Sequence, residues 1–140
     1  MITLDAARIM VAGARAKGRD LGLKPLSIAV LDAGGHLLAF EREDGASPGR
    51  FEIARGKAYG AIMLGMPGSA QMARAEDQGY FMAAVNGAFG GKVIPVPGGV
   101  LVKDGAGAVI GAVGVTGDTS DNDAAAALAG IAAAGLTGGA

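Results

Sequence analysis

The sequence predicts an α/β chain of the α+β kind, an antiparallel sheet flanked by helices, and three observations carry that reading. Apolar runs Leu26–Leu31 and Leu37–Phe40 are joined by the tight turn Asp32-Ala33-Gly34-Gly35-His36. Further on, Val100–Lys103 and Ala108–Thr116 flank a second turn, Asp104-Gly105-Ala106-Gly107. Glycine reaches the positive φ angles that such reversals need, so each pair reads as a hairpin. Segments of helical spacing precede, separate and follow the two hairpins, giving the order α-β-β-α-α-β-β-α. Consecutive hairpins argue for an antiparallel sheet and against a doubly wound parallel one.

Each element has its own signals. Thr3 can cap a first helix whose apolar positions, Leu4, Ala7, Val11, Ala14 and Leu21, follow helical spacing, with Gly22 as its stop and Pro25 just beyond. Leu26–Leu31 and Leu37–Arg42 follow as strands, and alternation assigns His36, Leu38 and Phe40 to one face. Residues 41–49 form a polar loop in which Ser47-Pro48 signals a helix start. The helix from about Arg50 to Leu64 carries a smooth strip, Ala54, Ala58 and Ala61, with Gly60 beside it. Met66-Pro67-Gly68 ends it, and Ser69 starts a short helix to about Asp77. Gln78–Lys92 shows no readable pattern, and Val93–Val96 is Pro-bounded, at best an edge strand. After the second hairpin, Ser120 with an acid three residues on resembles a capping box, and the last helix runs to about Ala134 and stops at Gly135.

Composition bounds the function classes. The 140 residues are read as one domain, 1–140, with 51% apolar residues, 26 glycines and only 4% aromatics. A core of Ala, Val, Leu and Ile implies close packing of elements. The net charge of −1 gives no reason to expect nucleic acid as a partner, and no long apolar run suggests a membrane span. The N-terminus lacks the basic start and apolar core of a signal peptide, so the expected location is cytoplasmic. With no cysteine, disulfides, thiolate zinc sites and a cysteine nucleophile are excluded.

His36 is the only imidazole. At the rim of a turn it reads either as a haem or metal ligand, as a general base, or as a turn histidine bonded to a nearby carbonyl. Asp32 either orients that ring or closes the turn through its own backbone. Arg50 and Lys57, seven residues apart, share a helix face, and with Arg55 they could meet a carboxylate or simply form a solvated surface. Gly111–Gly117 leads from a strand to a helix start, a place where free N–H groups can hold an anion. It lacks dinucleotide or P-loop spacing, and Asp118, Asp121 and Asp123 would repel a phosphate there. Those acids read as helix caps rather than as a cation site, so no metal is expected.

Taken in order, Asp32-Ala33-Gly34-Gly35-His36-Leu37-Leu38-Ala39-Phe40, Asp44-Gly45-Ala46, Ala54-Arg55-Gly56-Lys57-Ala58, Pro97-Gly98-Gly99-Val100 and Gly111–Gly117 followed by Asp123 resemble the GlcG/HbpS family, which includes the C-terminal domain of PduO corrinoid adenosyltransferases. The resemblance covers nearly the whole chain. It implies a profilin-like fold, assembly into dimers or larger homo-oligomers, and for some relatives binding or degradation of haem. Lys57 corresponds to the family's helix lysine, Gly98, Gly99 and Gly117 to its glycines, and His36 to its histidine after the Gly-Gly turn. Glu43 and Gly60 depart from the family pattern.

Two functions are therefore expected. The first is a small-molecule-binding accessory protein, with haem or a related tetrapyrrole as ligand, His36 as axial donor and Arg50, Arg55 or Lys57 as propionate partners. The second is a small cofactor-independent isomerase, lyase or hydrolase acting on a carboxylate-bearing metabolite, with His36, Lys57 and Asp123 as candidate catalytic groups. The alanine strip on the Arg50–Leu64 helix is the expected surface for self-association.

Overall fold

Thr3 caps the first helix through its side-chain oxygen, which accepts from the Ala6 N–H, and α1 runs Leu4–Leu21 before Gly22 closes it in the left-handed conformation (φ 65°). The computed structural model describes residues 1–140. Two hairpins follow at the expected places: β1 (Ser27–Asp32) with β2 (Leu37–Arg42), and β3 (Gly99–Lys103) with β4 (Val109–Thr116). The turns use one device twice. Asp32 Oδ1 accepts from the N–H groups of Gly34 and His36, and Asp104 Oδ1 from those of Ala106 and Ala108. Gly35 and Gly107 complete the turns at φ 83° and 82°.

Between the hairpins lie α2 (Arg50–Leu64), α3 (Gly68–Asp77) and α4 (Gly79–Ala88), and after them α5 (Ser120–Ala133) and the short β5 (Thr137–Gly139). All pairings are antiparallel and the sheet order is β2-β1-β4-β3-β5. One face carries α1 and α5 over Ile28, Val30, Val100, Val102, Val113 and Val115. The other carries α2 over Leu31, Leu101 and Ala112. The class and the antiparallel sheet match the sequence reading, with α4 and β5 added to the expected order.

Four local expectations are corrected. Val93–Val96 is not a strand: its N–H groups turn inward, Ile94 N donating to Gly56 O and Val96 N to Ile94 O. A register shift between Val30 and Leu31 separates the residues assigned to one face of β2. Phe40 stacks edge-on against Phe51 of α2, while Leu38 packs with the α1/α5 core. The α5 cap is Thr119, not Ser120, its oxygen accepting from the Asn122 N–H. The alanine strip of α2 faces the chain's own sheet, with Ala54, Ala58 and Ala61 each 0% exposed, so it is no free surface for self-association.

Candidate functional site

The β1–β4 ladder gives the molecule two ends. Asp32 pairs with Gly111 at one and Ser27 with Thr116 at the other, about 17 Å apart at the usual rise of a strand. His36 stands at the first end. Its side chain is 81% exposed, and Nδ1 lies 3.2 Å from Asp32 Oδ1. The backbone N–H of His36, aided by that of Gly34 and by the ring itself, holds the Asp32 carboxyl below its ordinary range, so the carboxylate stays charged behind the imidazole. Beside it opens a cavity of about 460 Å³ walled by Met1, Ile2, Leu38, Val109 and Ile110, with Asp32 and His36 at its polar margin.

Lys57, Asp123, Gly98, Gly99 and Gly117 gather at the opposite end. Lys57 Nζ donates to Asp123 Oδ2 and to the Val115 carbonyl, both at 3.0 Å, and the two side chains are 3% and 1% exposed. Asp123 Oδ1 accepts from the Asp118 N–H just ahead of α5, so the carboxylate joins the start of α5 to the middle of α2 through Lys57. Burial pushes the Lys57 ammonium down and the Asp123 carboxyl up from their ordinary values, against their mutual attraction. Gly98 (φ 117°) is required here, because a Cβ would sit 2.9 Å from Lys57 Nζ. Gly99 and Gly114 let α2 lie flush on the sheet, where a Cβ would strike the carbonyls of Lys57 and Ala54.

Arg50 belongs to this end as well. Its Nη1 donates to Thr116 Oγ1 (2.9 Å) and its Nε to Ser47 Oγ (3.1 Å). Arg55 points elsewhere on α2, its guanidinium 5.2 Å from the Phe51 ring, with Nε buried and unpartnered.

The predicted site residues therefore fall into two groups. Arg50, Lys57, Gly98, Gly99, Gly117 and Asp123 come together; His36 stands a strand length away from them, and Arg55 joins neither. Within one chain, His36 cannot share a ligand's iron and propionates with Arg50 or Lys57, and Lys57 is already committed to Asp123. Of the two roles weighed for Asp32, the turn role is the one its bonds from the Gly34 and His36 N–H groups show, and its Oδ1 also lies 3.2 Å from the imidazole Nδ1. Missed by the sequence reading were the Lys57–Asp123 pairing, the hydroxyl of Thr116 and the close approach at Gly114. Only the density of small residues in Gly111–Gly117 signalled the last of these.

A five-stranded antiparallel sheet between helical layers defines a small protein of the α+β class. The chain belongs to the HbpS-like family, described as "Haem degrading protein HbpS-like", whose model matches residues 2–132. It is 33% identical over 122 residues to an uncharacterized 15.0 kDa protein from the dhaT-dhaS intergenic region of Citrobacter freundii, covering 87% of this chain and 84% of that protein. A crystal structure of a Streptomyces reticuli HbpS double mutant superposes with a TM-score of 0.78 at 30% identity, covering 93% of this chain and 84% of the other. A PduOC:heme complex superposes at 0.86 over 99% of this chain and 98% of the other; at 21% identity that likeness shows the shared fold alone.

Proposed function

We propose that this chain is a small-molecule-binding accessory protein whose ligand is haem or a related tetrapyrrole, seated at the His36 cavity. The observation that carries the reading is the exposed imidazole beside the Asp32 carboxylate, at the margin of a cavity walled by apolar side chains. Haem needs an axial donor and an apolar slot, and a carboxylate behind a ligating histidine fixes its tautomer and raises its basicity. When bound, haem would supply one-electron and ligand-exchange chemistry at its iron. His36 contributes the donor nitrogen, Asp32 orients it, and Ile2, Leu38, Val109 and Ile110 exclude water from one side of the slot. Family membership supports the ligand class.

Titrating the apo-protein with haemin tests this. A saturable Soret shift is expected, abolished by His36→Ala and weakened about 10-fold or more by Asp32→Asn. No shift, or one unchanged in His36→Ala, overturns the assignment. The three groups named for the enzyme reading do not converge within one chain: Lys57 and Asp123 are buried against each other, and His36 stands at the other end of the sheet.

A further inference from the structure

Beside the Lys57 end, a depression of about 240 Å³ opens between the 45–47 loop, the Lys24-Pro25 segment and Gly117, with Arg50 at its base. Two of its lining residues are cationic and none is acidic. Arg50 is held by two hydroxyl acceptors, Ser47 Oγ and Thr116 Oγ1, and no carboxylate lies within 4 Å of it. Hydroxyls orient a guanidinium without neutralising it, and of its five N–H donors three remain unspent. Gly45 and Gly117 line the same depression, and Gly117 packs its backbone against the Pro25 carbonyl, where a Cβ would clash.

The acids nearby do not line the depression. Asp123 is paired with Lys57. Asp118 stays ionised, its pKa lowered to about 2 by the Asn122 amide and by the Lys24 and Thr119 N–H groups, and its carboxylate is turned to those donors rather than lining the depression. Glu43 is turned to Arg15 and to the Leu26 N–H, and Asp44 lines the adjoining depression with Arg15 and Arg19. Asp121 is exposed on α5 and lines neither.

We propose that the depression between Lys24, Ser47, Arg50 and Gly117 is a second ligand site, distinct from the His36 cavity, that takes the oxyanion headgroup of a small molecule, a carboxylate or a phosphate. Arg50 supplies the planar donor fork and Lys24 a mobile ammonium that closes over the anion. The site does not depend on haem. Its ligand binds about a strand length from the imidazole.

Titration of ¹⁵N-labelled protein with sodium phosphate and, separately, with sodium propionate, each against sodium chloride at matched ionic strength, tests it by NMR. Saturable shifts are expected at the Ala46, Ser47 and Gly117 amides and at Arg50 Nε–H for at least one probe. Arg50→Gln should raise the dissociation constant at least about tenfold, as loss of a charge-assisted pair does. The exposed Lys24→Gln, which leaves the fold untouched, should raise it a few-fold, and His36→Ala should leave it unchanged. Tighter binding of phosphate supports a phosphorylated ligand, and tighter binding of propionate an organic acid. Shifts reproduced by chloride, shifts mapping elsewhere, or affinity indifferent to both Lys24→Gln and Arg50→Gln overturn the proposal.

Discussion

Removing the Lys57 ammonium while Asp123 stays in place strands a carboxylate that is 1% exposed, with only the Asp118 N–H left to solvate it. Breaking a buried pair from one side typically costs about 3–5 kcal/mol, whereas replacing both members by apolar groups of similar size costs far less. Lys57→Met and Asp123→Leu are each expected to lower the unfolding free energy by an amount of that order. Lys57→Met/Asp123→Leu should lose less than either single variant, read from urea unfolding midpoints. Losses that simply add would show that the two side chains do not act as a unit. Both residues are picked out by the sequence, yet their partnership is not: they stand 66 positions apart, and local spacing carries no information at that range. Asp32 and His36, four apart across one turn, were legible as a pair for the opposite reason.

At the scale of elements, α2 shows what small residues do in this chain. Ala54, Ala58 and Ala61 sit against the sheet, and the strand glycines opposite let the helix backbone approach. Ala58→Glu would bury a charge with no partner, so it is expected to abolish cooperative folding. Thermal unfolding followed by circular dichroism checks this; a folded variant with only its sedimentation changed would return the strip to a role in association. A strip of alanines reads identically from sequence whether it meets a sheet or another subunit, which is why the burial was visible and its partner was not. The two elements that escaped notice did so for physical reasons. Helix α4 has Gln78 before it and Phe89 after it, with no side-chain cap at its start and glycines at 79 and 87. Strand β5 is three residues with two glycines, and it exists only through its ladder to β3.

For the whole molecule, each hairpin was legible because its turn is local, but their order in the sheet was not. The join is β1 with β4, strands brought together only after three helices have intervened. Helices α1 and α5, from the two termini, likewise share one core. Cutting the chain at the exposed Gly90-Gly91 junction divides every one of these contacts. Fragments 1–90 and 91–140 are each expected to lack dispersed amide NMR spectra alone and to recover them on mixing. A fragment that folds by itself would show that the halves are independent. The same topology sets a schedule during synthesis. Ile28 and Val30 leave the ribosome early, soon after α1, yet their partners Val115 and Val113 on β4, and α5 behind them, follow only after residues 33–112 have been translated, a wait of several seconds at ordinary elongation rates. For that interval only α1 and β2 are at hand to shield that strand, and its flank and the rest of its apolar face stay open, which makes the nascent chain a client for chaperones that hold hydrophobic segments until translation ends.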